Sequence, residues 1–454
     1  MALATTLPGP SNYIALSKAY RDDPLNSYGQ AWRTHGDLIR FKAIPGADLY
    51  FVVHPDAVAH VLTSHGQIYR KAKSVHEPLA LLLGNGILIS EGESWLRQRR
   101  LMNPAFHRQS VMNLASVMTR FAQARSQRWE RYSTGTVIDV AEEMQQLTLE
   151  IVGEALFSTG LDAHIDTFSV AFRRAAEFIN DRINNPFKTP MWLPTKAHRQ
   201  FLHNRDRLQH IALELIQARR HQGTHQENIR LDLLAMLMAA QDADTGARMS
   251  DAELLDEVMT LLIAGHETVS VTLSWTFHLL GNHPEVRHQL QDEIETVLKR
   301  HPPSAEDYTR LPYTRMVIEE ALRLYPPVWA FSRETLRDDE IQGYSIPSET
   351  FVLVGTYFTH RHPEFWSAPE EFNPERFTEA ETAKRHKFAY HPFGGGPRIC
   401  IGNQFALMEA TLILSTLVQR FDLEPASTQP VEIDPTFTLR PKGGLPMRLI
   451  HRSP

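Results

Sequence analysis

The sequence predicts a mainly α-helical fold with a minor β portion, and three observations carry that prediction. From about Ser94 to Leu324 apolar residues return every three or four positions, the spacing that keeps them on one helical face. Within that span Asp251 to Leu280 runs 30 residues without proline. As one helix it would be about 45 Å long, enough to cross a domain. β-type sequence is confined to short pieces nearer the two ends of the chain.

Leu38–Ala43 and Leu49–Val53, separated by Pro45-Gly46-Ala47-Asp48, predict a short hairpin, and Pro55 opens a helix after it. Ser250 followed by Glu253 is a capping-box signature and sets the start of the long helix. After Pro326 the texture changes to short β pieces such as Thr350–Val354 and proline-rich loops; a helix resumes after Cys400. There is no internal repeat and no low-complexity segment, so the chain reads as one large unit.

Composition excludes several classes. With 42% hydrophobic residues and a net charge of −6, the chain can bury a large core and belongs among ordinary globular proteins. No long block of one sign occurs, which argues against a nucleic-acid partner. A single cysteine, Cys400, forbids any intrachain disulfide and fits a reducing compartment. No stretch of roughly 18 apolar residues occurs, so the expectation is a cytoplasmic protein without a membrane anchor, with loose membrane association left open for lipophilic substrates.

Cys400 stands in Phe393-Gly394-Gly395-Gly396-Pro397-Arg398-Ile399-Cys400-Ile401-Gly402. A phosphate-cradling loop would need Gly-Lys-Ser/Thr after the glycines, and Pro397-Arg398-Ile399 does not supply it. A dinucleotide-binding turn would need a βαβ unit, and Gly84-Asn85-Gly86 lacks the third glycine, residue 89 being Ile. The third reading is a thiolate held as a metal ligand. Glycines would let backbone amides approach the sulfur, and a helix starting just after Cys400 would turn its positive end toward the charge. A lone cysteine is ordinarily a small buried hydrophobe, but a glycine-rich approach is entropically costly and would be an odd way to bury one.

The stretch resembles the haem-binding signature of the cytochrome P-450 family, the haem-thiolate monooxygenases. The resemblance implies the fold of that family as one domain over residues 1–454, with a β-rich lobe roughly over 30–70 and 325–390 and a helical lobe roughly over 90–325 and 400–425. It implies haem b bound through Cys400, with Phe393, Arg398 and Gly402 also at the cofactor.

Other segments agree. Ala264-Gly265-His266-Glu267-Thr268 places a glycine, an acid and a hydroxyl in the middle of an apolar helix, where each is a weak packing choice. The H-E-x-x-H zinc motif begins there but fails, because residue 270 is Ser. The segment is similar to the family's oxygen-activating motif, in which the glycine permits local helix distortion while Thr268 and Glu267 relay protons. Glu320 and Arg323, three apart, with Arg376 in Phe372-Asn-Pro-Glu-Arg376-Phe377, resemble the family's structural salt bridge. Trp95 and Arg99 share one helical face; by resemblance they are haem-propionate ligands together with Arg333 and Arg398. His360-Arg361-His362-Pro363 departs from the Asn-Arg-Asp-Pro of many relatives, and its His-x-His spacing offers no third metal ligand.

The function implied is insertion of one oxygen atom from O2 into a hydrophobic substrate, with electrons from a separate ferredoxin- or flavodoxin-type donor and its reductase. The chain has no flavin or nicotinamide module of its own. Arg97, Arg100, Arg108 and Lys384-Arg385 are candidates for a basic docking face. The resemblance places Val75–Ile89, Phe172–Leu193, Ala264, Val328, Phe331 and Phe437 at the substrate. Their apolar character favours a terpenoid or carotenoid, with a fatty acid second. A weaker likeness to the family's bacterial β-carotene hydroxylases, through Ala264–Val269 with Trp275, Leu322–Trp329 and Leu439–Pro446, points the same way. The alternatives are a non-catalytic haem-binding sensor, which has no use for Glu267 and Thr268, and a peroxide-dependent haem-thiolate enzyme.

Overall fold

The computed structural model describes residues 7–10, 13–42, 48–158, 164–185, 188–222, 232–242, 244–436 and 438–452. They fall into two compact units: residues 1–76 with 319–400 and 433–440, and residues 77–318 with 401–432 and 441–454.

The first unit is organised on a five-stranded sheet with the strand order Leu38–Phe41, Leu49–Val52, Phe351–Val354, Phe331–Thr335 and Tyr69–Lys71. The expected hairpin forms the edge, with Leu38 opposite Val52 and Phe41 opposite Leu49; Ala43–Ala47 of its turn lie outside the described residues. The Leu49–Val52 strand pairs in parallel with Phe351–Val354, and the remaining pairs are antiparallel. Alternation sends successive side chains to opposite faces. Ile39, Phe41, Phe51 and Val53 pack with Tyr28 and Phe358, while Leu38, Tyr50 and Val52 pack with Val61, Leu62, Ile341, Ile346 and Val354. A second hairpin, Asp339–Ile341 with Tyr344–Ile346, turns through Gln342 and Gly343, both at positive φ as a two-residue turn demands. The helix opened by Pro55 ends at Ala59 and continues as one π turn over His60–Ser64, closed by His65 N–H donating to the His60 carbonyl at 3.0 Å.

The second unit is built around the long helix, Asp251–Asn282, which is 32 residues long. Its start is the predicted capping box: Glu253 N–H donates to Ser250 Oγ at 3.3 Å, and Ser250 N–H donates to Glu253 Oε2 at 2.8 Å. Buried on nearly all sides from Leu254 to Leu280, it packs against the helix Val140–Phe157. A Cβ on Gly265 would lie 2.8 Å from Val152 Cγ2. The glycine therefore sets how closely two helices approach. The long helix itself runs through Gly265 without a break. Among the described residues no helix is long and apolar enough to cross a membrane.

Candidate active site

In the first unit the dominant feature is a buried ion network. Glu320 and Arg323 sit three apart near the end of the helix Pro312–Leu324, both fully buried. Arg323 spends all five N–H donors: Nε and Nη2 on the two Glu320 oxygens at 2.7 and 2.8 Å, Nη1 on the carbonyls of His360 and Pro369, and Nη2 also on the carbonyl of Glu371. Glu320 Oε1 accepts Asn373 N–H at 2.9 Å and lies 3.3 Å from Arg376 Nε. The three residues singled out from the sequence thus meet, and Arg376 is anchored further by the Ala368 carbonyl at 2.9 Å.

His360 extends this network to the cysteine loop. Its Nδ1–H faces the Arg323 carbonyl at 3.3 Å, and its Nε2 accepts the backbone N–H of His391 at 2.9 Å. That pair of contacts fixes a neutral ring with its proton on Nδ1. Burial holds the pKa of His360 well below the ordinary histidine value. The departure from Asn-Arg-Asp-Pro was visible in the sequence, but this bracing role was not. His362 turns elsewhere, with Nε2 at 3.1 Å from Asp37 Oδ1, so the two histidines share no metal.

From His391 the chain enters the loop itself. Gly394 and Gly396 have φ of 72° and 66°, conformations that favour glycine. A Cβ on Gly395 would stand 2.5 Å from the Phe388 ring, and one on Gly396 would stand 2.0 Å from the Leu62 carbonyl oxygen. Turn geometry and close packing thus account for all three glycines. Cys400 N–H closes the loop on the Phe393 carbonyl at 3.0 Å. The thiol is exposed, as is Ile399, while Phe393 and Arg398 are half-buried. The helix Asn403–Val418 follows, with Gly402 as its cap.

Arg333 lies on the strand Phe331–Thr335, directly opposite Lys71. Side chains of paired residues share a face, so Lys71 and Arg333 lie side by side on it. On the other face Arg70 and Glu334 form an ion pair. Sequence reading missed Lys71, because a three-residue strand carries no periodicity to find it by. Val328 is exposed and Phe331 half-buried; Phe437 lies outside the described residues.

The second unit holds the other half of the predicted set. Ala264 is exposed and Thr268 half-buried one turn on, although almost every residue around them on the long helix is buried. Thr268 Oγ1 donates to the Ala264 carbonyl at 2.8 Å. Glu267 is only 4% exposed; its Oε2 accepts Gln145 Nε2–H at 3.3 Å and lies 3.9 Å from His266 Nε2. His266 is packed edge-on to Phe168 and Phe172, with Nδ1–H on the Leu262 carbonyl at 2.6 Å, and burial lowers its pKa. Gln145 was not legible in sequence, since nothing local marks it. Trp95 and Arg99 are half-buried on the helix Gly92–Met102.

The suggested basic docking residues are largely committed to other partners. Arg97 pairs with Glu253 at 2.5 Å, Arg100 with Asp242 and Asp244 at 2.9 and 3.0 Å, and Lys384 with Glu381 at 2.7 Å. Arg385 lies over the rings of Trp366 and Phe377. Local neutralisation removes most of the charge that a docking patch would need.

Three features bear on whether a haem bound through sulfur fits these residues. The thiol is exposed at the end of a tightly built loop. Gly402, two residues on, has an ordinary φ of −89° and open space within 4 Å of a Cβ position, so neither strain nor protein packing demands a glycine there. Ala264 offers a small, exposed apolar side chain in an otherwise buried helix. Each feature, taken within its own unit, suits a flat, largely apolar group with one sulfur ligand.

Comparison with known proteins agrees. The family model described as cytochrome P-450 matches residues 5–446. A cyclooctat-9-en-7-ol 5-monooxygenase of Streptomyces melanosporofaciens is 36% identical, covering 92% of this chain and 89% of its own. A pentalenene oxygenase of Streptomyces avermitilis is 32% identical, covering 100% of this chain and 98% of its own. The crystal structure of a cytochrome P-450DA haem domain superposes with a TM-score of 0.89 at 29% identity, covering 100% of this chain and 99% of the other.

The buried histidines of the loop make stability depend on pH. Burial pushes His391 down to about 4, whereas the unfolded side chain titrates near about 6.5. Between those values the unfolded chain takes up a proton that the folded chain refuses, so this contribution is complete above the upper value and lost as pH falls toward the lower. In denaturant titrations of the haem-loaded protein, His391→Phe should flatten the acid-side slope by about 1.4 kcal/mol per pH unit. An unchanged slope would show that His391 does not titrate on unfolding.

Proposed function

The chain belongs to the cytochrome P-450 family and is a haem-thiolate monooxygenase; from that premise we propose that it oxygenates a cyclic, olefinic terpenoid or carotenoid-like substrate. The observation that carries the proposal is the Ala264–Thr268 face, a small apolar side chain and a hydroxyl open side by side in a buried helix. Two of its relatives are named for cyclooctat-9-en-7-ol and pentalenene. Exposed Val328 and half-buried Phe331 would add apolar contacts.

In this reading the Cys400 thiolate holds the haem, which when bound supplies the activation of O2 and the transfer of one oxygen atom to the substrate. Trp95, Arg99, Arg333 and Arg398 receive its carboxylates, with Lys71 added by its register opposite Arg333. The reaction takes up two electrons and two protons, and the second oxygen leaves as water. Thr268 passes those protons through Oγ1, releasing the Ala264 carbonyl as it does so. Glu267 resupplies it after swinging away from Gln145, which acts as a positioning residue. The electrons come from a ferredoxin- or flavodoxin-type donor.

Spectral titration of the haem-loaded protein tests the substrate class. Cyclic terpenes should shift the absorption band at least about 10-fold more tightly than fatty acids, and the reverse order would sink the terpenoid assignment. Cys400→Ala should lose the red-shifted ferrous–CO absorption of thiolate-bound haem; retention would exclude Cys400 as ligand. With a surrogate redox pair, Thr268→Ala should cut product formation by about 10²-fold while electrons drain into released hydrogen peroxide. Unaltered coupling would remove Thr268 from the relay, and absence of turnover in the unsubstituted protein would favour a sensor.

A further inference from the structure

The first unit brings together His60, His65 and Asp339, to which no role has been given above. Each offers one ligand atom, and the three atoms lie within 4.8 Å of one another. The His60 and His65 rings stack with centroids 3.8 Å apart and planes 12° apart. His60 Nε2 is 2.7 Å from Asp339 Oδ2, which also accepts the Tyr69 hydroxyl at 2.5 Å.

The backbone explains the convergence. Residues five apart on an α-helix point about 140° away from each other. The segment His60–Ser64 is instead a π turn, with His65 N–H on the His60 carbonyl at 3.0 Å, and such a turn carries residue i+5 back over residue i. Single π turns are uncommon and concentrate at functional sites. Here the turn's effect is to place two imidazoles side by side, facing a carboxylate from the Asp339–Ile341 strand.

We propose that His60, His65 and Asp339 form a binding site for a borderline divalent transition-metal ion of the Zn2+ type, which clips the π turn to the Asp339–Ile346 hairpin. Two imidazoles and one carboxylate suit Zn2+, Ni2+ or Cu2+ and are a poor set for Ca2+ or Mg2+, which take mostly oxygen ligands. Tetrahedral Zn2+ with bonds of about 2.0–2.1 Å needs ligand atoms about 3.3 Å apart. His65 is exposed and turns inward by giving up its stack on His60 and its contact with Ser64 Oγ, and water completes the coordination. The ion replaces the His60–Asp339 hydrogen bond. Tyr69 remains as an outer donor that orients the carboxylate.

The clip has a target. The backbone of Leu62, inside the turn, lies so close to Gly396 that a Cβ there would stand 2.0 Å from the Leu62 carbonyl oxygen. Gly396 is four residues before Cys400. An ion closing the two ends of the turn therefore stiffens the support on which the cysteine loop rests.

The test uses untagged, haem-loaded protein and Zn2+ by calorimetry, with hydrogen exchange of residues 60–66 as a second readout. The unsubstituted protein should bind one ion per chain, and exchange in that segment should slow. His65→Ala, an exposed change that leaves the fold intact, and Asp339→Asn should each weaken binding by about 100-fold, and Tyr69→Phe by about 10-fold. Ca2+ and Mg2+ should give no heat. Failure of the unsubstituted protein to bind Zn2+ tighter than about 100 μM would overturn the proposal. So would binding that His65→Ala leaves unchanged, which would assign the ion to other histidines.

Discussion

The loops between the Phe351–Val354 strand and the cysteine loop lean on the guanidinium of Arg323. Burying a full positive charge is tolerable only when its hydrogen-bonding capacity is met and a counter-charge is in contact, and Arg323 meets both conditions through Glu320 and three backbone carbonyls. Those carbonyls belong to three separate points of the chain, His360, Pro369 and Glu371. The loops after the Phe351–Val354 strand are therefore fixed by their attraction to one cation. A leucine in that place would be cheaper to bury but could not specify which carbonyls gather around it.

Through His360 the same constraint reaches the reactive end of the unit. An imidazole donating to the Arg323 carbonyl and accepting from the His391 amide transmits position from a rigid helix terminus to a glycine-rich segment that has little stiffness of its own. The π turn at His60–Ser64 supports the loop from another direction, through Leu62 against Gly396. Cys400 is thus held by its surroundings more than by its own short-range geometry.

What could be read from the sequence was whatever leaves a periodic or a local mark. The long helix, its capping box, the first hairpin and the Glu320–Arg323 pair all depend on residues a few positions apart, and the structure shows each of them. The packing role of Gly265 was not legible because its partner, Val152, lies 113 positions away in the chain. Lys71 and Gln145 were missed on the same account: their partners come from register and packing, which no window of sequence contains. The arginines near Trp95 looked like a basic surface because Asp242, Asp244 and Glu253 are distant in sequence and close in space.

One feature of the long helix separates two kinds of selection. Its residues from Leu254 to Leu280 are almost all committed to packing, so a change of size there is paid in stability. Ala264 is exposed, and its side chain can grow without displacing a neighbour in its unit. Enlargement at that position changes the volume next to the Thr268 hydroxyl without the packing cost that applies to its helical neighbours.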